Sequence, residues 1–170
     1  MTNVPDELQD LFHRLIEQSY ESLLADQPQQ ALDQALQANA IYTDYAEMWD
    51  HHVGARHTLR VAAEASQRLG DYEGGVEYAR RGVLLCLQHL FGEDEAGFIV
   101  QLSQIARASG DLLGARIYGF AAEAMLSHVE VDDDDPQDEV EALEKEKEYV
   151  QTLIWQDLDK FCPPDSMPSY

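Results

Sequence analysis

Three histidines in the middle of this sequence are the side chains best suited to chemistry, because imidazole is a common metal ligand. His51, His52 and His57 lie close to Asp50 and Glu47. However, His57 follows His52 by five residues, a poor spacing for two ligands on one helix, and no HExxH, CxxC or EF-hand pattern accompanies them. We therefore expect surface histidines, with no metal site and no cofactor, although the sequence leaves open whether these three bind a metal.

A run of four aspartates at 132–135 is the second candidate for metal chemistry. It lacks the glycine and the distal glutamate of a calcium loop, so it indicates a solvated charged segment. The sequence also contains no phosphate-binding glycine loop, no nucleophile elbow, and no Ser–His–Asp or Cys–His arrangement that would indicate catalysis. We expect that the protein is not an enzyme.

Composition and charge limit the partners of the chain. Its 170 residues, 45 % of them hydrophobic, suffice for one domain with a real core. The 33 acidic and 11 basic residues give a formal charge of -22, which disfavours nucleic acid and anionic membranes as partners. Cys86 and Cys162 match no metal or redox spacing, and the sequence shows neither a signal peptide nor a long apolar segment. These features predict a cytoplasmic protein with free thiols.

The elements that position the remaining candidates come from an internal repeat. In each of three copies a turn residue, Asp26, Gly70 or Gly110, is followed by a small residue five and twelve positions later. A glycine in the left-handed conformation followed by an aspartate N-cap is typical of a turn between two helices. The aligned segments are LADQPQQALDQALQA, LGDYEGGVEYARRGV and SGDLLGARIYGFAAE. The small residues are Ala31, Gly75, Ala115, Ala38, Gly82 and Ala122 after the turns, and Ser19, Ser22, Ala63, Ser66, Ser103 and Ala106 before them.

Two segments, LRVAAEASQRLGDYEGGVEYARRGV and FIVQLSQIARASGDLLGARIYGFAAEAM, resemble the tetratricopeptide repeat (TPR) family. The stretch HLFGEDEAGFIVQLSQIARASGDLLGARIYGFAAEAML is similar to the longer repeats of kinesin light chains. The resemblance covers residues 11–129 and departs from the family pattern at several positions. Asp26 stands where glycine is usual, and aliphatic or small residues replace two of the usual aromatics. These replacements are Leu15, Leu59 and Ile99 in the first helices and Ala35, Ala79 and Gly119 in the second.

We accordingly expect an all-α fold, with three antiparallel helical hairpins at 1–129 in a short right-handed solenoid. An acidic linker at 130–137 would lead to a C-terminal capping helix at 138–162, followed by a loose tail at 163–170. Pro5 is expected at the first position of the first helix. The expected helices are 5–24, 28–42, 44–69, 72–91, 95–109, 112–129 and 138–160. The apolar stripe of the last helix would comprise Val140, Leu143, Val150, Leu153, Ile154, Leu158 and Phe161.

The resemblance implies that the first helix of each hairpin lines a concave groove for a peptide. Among the implied groove residues, Arg60, Arg68 and Arg107 would gather guanidinium groups suited to a carboxylate. The same arginines could instead pair inside the chain, for example Arg60 with Glu64 at i,i+4. The Lys/Asn clamp with which some family members hold chaperone tails is not visible. The implied groove positions are His13, Ile16, Glu17, Tyr20, His57, Arg60, Glu64, Gln67, Arg68, Gln101, Gln104 and Arg107.

The sequence thus predicts a protein-interaction module, or adaptor, that binds a peptide or protein surface in the groove and catalyses no reaction. The expected partner is another protein or peptide, acidic or carboxylate-terminated, and neither nucleic acid nor a membrane. The alternative is a small acidic chaperone or inhibitor, including an acidic decoy that mimics nucleic acid. Residues 130–148, with eleven acids and two lysines, are an alternative binding surface for a basic partner.

Overall fold

All three predicted turns adopt the backbone conformation that their residues favour. The φ angle is 57° at Asp26, 78° at Gly70 and 87° at Gly110, so each residue is left-handed. At the second turn the N–H groups of Gly70 and Asp71 donate to carbonyls three and five residues earlier, at 3.0 and 2.9 Å. The other two turns repeat this pairing, which satisfies the free carbonyls at the end of a helix. The predicted turns are confirmed.

The helix that follows each turn begins with a cap set by the local sequence. The carboxylates of Asp71 and Asp111 accept hydrogen bonds from the N–H groups of Gly74 and Gly114, at 3.0 and 2.9 Å. These are the N-caps that the repeat predicts. The first copy has Gln27 at this position, whose side chain makes no cap hydrogen bond. Its helix begins instead with a proline at the first helical position, which needs no partner for a backbone N–H.

The computed structural model describes residues 4–46, 52–89, 92–128 and 137–155, which form seven helices and no strand. The helices are α1 (Asp6–Leu24), α2 (Pro28–Tyr45), α3 (His52–Leu69), α4 (Tyr72–His89), α5 (Gly92–Ala108), α6 (Leu112–Leu126) and α7 (Gln137–Trp155). Successive helices pack against each other, and the first helices of the hairpins also touch, α1 with α3 and α3 with α5. The chain is therefore an all-α, repeat-like solenoid, as predicted.

Several helix ends differ from the prediction. Asp44 and Tyr45 belong to α2, not to a helix at 44–69, because Ile41, Tyr42 and Tyr45 continue the apolar face that packs on α1. Pro5 occupies the N-cap position before α1, with a ψ of 136°, and is not its first helical residue. The helix expected at 95–109 begins earlier, at Gly92. Residues 47–51, most of the predicted linker, and the predicted tail lie outside the described residues.

The small residues of the repeat lie where helices cross. All twelve predicted small positions are buried. A Cβ atom added to Gly75 would lie 3.2 Å from the carbonyl oxygen of Ala63, so the backbones of α3 and α4 are in close approach. At Gly82 such an atom would overlap the ring of Phe98, which is 1 % exposed. The small residues of the repeat therefore mark the sites of close helix packing, as the sequence predicted.

The last helix packs on the third hairpin through part of its predicted stripe. Val150 and Ile154 are buried against Ala122 and Leu126 of α6, and Leu143 is partly buried beside them. Val140 is half-buried, whereas the side chain of Leu153 and all of Leu158 and Phe161 lie outside the described residues. No helix in the described part of the chain combines the length and apolar character needed to span a membrane.

Candidate functional site

Helices α3, α5 and α7 border an open cleft of about 600 Å³. Seven of the predicted groove residues line it: Arg60, Glu64, Gln67, Arg68, Gln101, Gln104 and Arg107. Gly97, Val100 and Ala108 supply apolar surface, while Glu146 and Tyr149 belong to α7. The structure thus brings these predicted residues of α3 and α5 together in one cleft. It adds α7, which the sequence assigned only to capping.

Arg60 is the cleft arginine with the fewest interactions inside the described fold. Its guanidinium lies over the backbone of α5, with three atoms 3.5–3.6 Å from the place where Gly97 would carry a Cβ. The side chain is exposed and makes no hydrogen bond or ion pair with any residue in the described ranges. The alternative that the sequence left open, an Arg60–Glu64 pair, is therefore not formed. A guanidinium held against a helix surface, with its donors open, suits a carboxylate or another anion.

Gln101 forms the buried part of the cleft lining. Its side chain is 6 % exposed, and its Nε2 atom donates to the backbone carbonyl of Arg60 at 2.9 Å. The carbonyl oxygen Oε1 has no hydrogen-bond partner among the described residues. A buried amide with one open acceptor is costly unless a donor reaches it, from water or from a bound molecule. Gln101 therefore links α5 to α3 through its Nε2 atom. Its Oε1 atom can still accept a hydrogen bond beside Arg60.

Helix α7 reaches the cleft through polar side chains. Gln104 of α5 donates from Nε2 to the hydroxyl oxygen of Tyr149, at 2.7 Å. Glu146 lies half-buried in the same lining, one helical turn before the buried Val150. The carboxylate of Glu146 has no hydrogen bond or ion pair with a residue in the described part of the chain. The cleft thus contains one acidic side chain, Glu146, and one basic side chain, Arg60, that make no hydrogen bond or ion pair with the described residues.

Arg68 lines the cleft, but its guanidinium is already engaged within the fold. Its Nη1 donates to the carbonyl of Leu23 at the end of α1, at 2.9 Å, and its Nη2 donates to Glu64 at 2.6 Å. Asp26 lies 3.7 Å from the same guanidinium. Arg68 therefore ties α3 to the end of α1. Sequence spacing alone could not decide between Arg60 and Arg68 as the partner of Glu64, since both lie four residues away.

Replacing Arg68 by glutamate is expected to lower stability. The change removes both hydrogen bonds and places a carboxylate beside Glu64. Because the site is partly solvated, the cost should be about 1 kcal/mol, or about 2–4 °C in melting temperature for a chain of this length. Thermal unfolding followed by circular dichroism measures this change. Arg80→Glu, on the exposed face of α4, is the control with the same charge change. Equal melting temperatures for the two variants would contradict the structural role.

Arg107 also lines the cleft, half-buried near the end of α5. It already has an interaction partner, so it is not a free charge. Of the three arginines expected to supply affinity together, Arg60 is therefore the one whose side chain the described residues leave available.

The remaining predicted groove residues do not line the cleft. The hydroxyl of Tyr20 and Nδ1 of His57 share a hydrogen bond of 2.9 Å between α1 and α3. His13 is exposed, with its ring edge-on to Phe12, and Glu17 is exposed as well. Ile16 packs into the apolar cluster between α1 and α2. The first hairpin thus contributes Tyr20 to a contact with His57 of α3, and none of its predicted groove residues lines the cleft.

Electrostatics around this contact favour neutral rings. Burial lowers the pKa of His57 below its ordinary 6.5, and the positive charges of Arg56 and Arg60 lower it further. Burial raises the pKa of Tyr20, an effect that Arg60 and Arg56 partly offset. At neutral pH a protonated phenol therefore faces an uncharged imidazole, a stable hydrogen-bonded pair that links α1 to α3.

His52 and His57, two of the three histidines considered for metal binding, have different partners in the fold. The ring of His52 stacks on that of His89 with 3.4 Å between centroids, and its Nδ1 shares a 2.6 Å hydrogen bond with Tyr42. His57 is engaged with Tyr20, and His51 lies outside the described ranges. In the part of the chain that the structure describes, no three His, Cys, Asp or Glu side chains are grouped as metal ligands would be.

Among the cleft residues that the sequence did not predict, Glu146 and Tyr149 are the polar ones. A signal for Glu146 was present, because the apolar stripe of α7 recurs at 143, 150 and 154, and position 146 falls on that face. An acid on an inward face is unusual unless the face leaves the core at that point.

No protein-family model matches the sequence, and no curated protein is significantly similar to it.

Proposed function

We propose that this chain is a tetratricopeptide-type adaptor that binds a peptide or protein surface in the cleft between α3, α5 and α7, without catalysis. The observation that carries the proposal is the cleft itself. An uncommitted guanidinium, Arg60, and a buried glutamine with an open acceptor, Gln101, lie side by side between packed helices. The three left-handed turns and the buried small residues support the family assignment.

The lining indicates how such a ligand would be held. Gln67, Gln101 and Gln104 provide amides that can both donate to and accept from a peptide backbone. Arg60 adds a charge-assisted contact to a carboxylate of the ligand. Val100 and Ala108 provide apolar surface beside these groups. The proposed partner is therefore an acidic or carboxylate-bearing peptide or protein segment, met in the cytoplasm.

Substitution of Arg60 tests this proposal. Peptides are selected against the full-length protein from a random display library, and their affinities are measured by fluorescence polarisation. Arg60→Glu should weaken the selected acidic peptides at least about tenfold, because a charge-assisted bond contributes about 1.5–3 kcal/mol. The melting temperature should stay within about 1–2 °C, since the exposed Arg60 side chain makes no hydrogen bond or ion pair in the described fold.

The matched control is Arg80→Glu, which makes the same charge change on the exposed face of α4, away from the cleft. It separates local recognition from the effect of overall charge, which weakens every acidic ligand of an acidic protein to some degree. Equal losses for the two variants, or no loss for Arg60→Glu, would count against the cleft as the binding site.

A further inference from the structure

Two opposite charges line the same cleft without neutralising each other. Arg60 of α3 and Glu146 of α7 both face it, yet no nitrogen–oxygen distance between them is within 4.0 Å. The other charged residues of the cleft already have partners, since Glu64 pairs with Arg68, and Arg107 has its own partner. What the cleft offers a ligand is therefore one positive and one negative group, held apart.

The position of Glu146 follows from how α7 is docked. Residues four apart share one face of a helix, so Glu146, Val150 and Ile154 form a single stripe. Val150 and Ile154 are 0 % and 2 % exposed against α6. One turn earlier the same face passes the cleft, and Glu146 stands there half-buried. The hydrogen bond from Gln104 to Tyr149 adds a polar contact between α5 and α7 at this point.

A ligand bearing only acids would be a poor match for this lining. Its carboxylates would gain contacts at Arg60 but would be repelled by Glu146 across a partly desolvated space, where charges interact more strongly than in water. A ligand with a base near its acid would satisfy both groups. Like-charge repulsion of this kind is a common source of binding specificity.

We infer that the cleft selects a peptide segment that carries both an acidic and a basic side chain, with the acid at Arg60 and the base at Glu146. This inference rests on the proposed function, because it specifies the ligand of the same cleft. It also makes α7 part of the binding site and not only the cap of the solenoid.

The test compares peptide selections on full-length proteins. A random peptide display library is selected on the wild type, on Glu146→Lys and on Glu148→Lys, and the enriched peptides are sequenced. Glu148 is exposed on α7 and outside the cleft lining, so it controls for overall charge. The wild type and Glu148→Lys should enrich peptides in which an acid and a Lys or Arg recur at a fixed separation. Glu146→Lys should enrich peptides with acids alone.

A second measurement tests the role of Glu146 without introducing a positive charge at that position. One selected peptide and its variant with the base changed to alanine are titrated against wild type and Glu146→Gln. The wild type should lose about tenfold in affinity for the alanine peptide, and Glu146→Gln should bind both peptides alike, because the charge pair is absent. Selected peptides whose basic residue makes no difference to the wild type would overturn the inference while leaving the proposed function standing. The absence of any enriched peptide from all three selections would overturn the proposed function itself.

Discussion

Replacing Phe98 by alanine is expected to lower the free energy of unfolding by about 3–5 kcal/mol, a large share of the stability of a small domain. The ring is 1 % exposed and packs in the central cluster with Leu59, Leu102 and Ile105. Its edge rests on the backbone of Gly82, where a side chain would overlap it. Removing the ring therefore loses its buried surface and leaves a cavity that rigid helices cannot fill. Urea unfolding followed by circular dichroism measures the loss.

Because the ring of Phe98 packs on Gly82, a double variant of these two residues tests the contact directly. Gly82→Leu alone should also destabilise, by about 1–3 kcal/mol, since the leucine has to displace the ring. In the double variant the leucine can enter the space that Phe98 vacates. The combined loss should then be smaller than the sum of the single losses by at least about 1 kcal/mol. Leu84→Ala, at a residue 59 % exposed on the same helix, should change stability by less than about 0.5 kcal/mol. Additive losses would show that the two residues do not pack as described.

Ile154→Asp is expected to release α7 from the rest of the fold. Ile154 is 2 % exposed and lies against Gly119 of α6, among Val150, Ala122 and Leu126. A carboxylate placed there without a partner costs several kcal/mol, more than an edge helix docked mainly on one neighbour can retain. Amide hydrogen exchange across α7 should accelerate more than about a hundredfold, equivalent to about 3 kcal/mol. The amides of α3 and α4 should keep most of their protection.

Thr152→Asp provides the control for this change, because it adds the same charge to α7 at an exposed position. Exchange in α7 should stay close to that of the wild type. If Ile154→Asp also left α7 protected, the helix would be held by contacts other than the stripe through Val150 and Ile154. Loss of α7 should further remove Glu146 from the cleft, so the variant should select acid-only peptides if it still binds.

Sequence alone determined the features whose causes are local. Gly70 and Gly110 adopt the left-handed conformation because glycine lacks a Cβ, and Asp71 and Asp111 cap the next helix through a bond spanning three residues. The small residues of the repeat could be assigned to helix crossings because their spacing matches one face of a helix. The expectation that residues of α3 and α5 share a groove came from the resemblance to tetratricopeptide repeats, and not from this spacing.

Tertiary structure decided which of those residues are available. Arg60 and Arg68 have the same charge and flank Glu64 at equal spacing, yet Arg68 also reaches the carbonyl of Leu23, which is 45 residues away in sequence. That contact depends on how α1 packs on α3, which no local pattern encodes. In the same way, Glu146 enters the cleft only because α7 docks on α6 in one rotation, set by Val150 and Ile154. Local spacing thus determines the helices and their faces, whereas long-range packing determines which charges are paired and which remain open to a ligand.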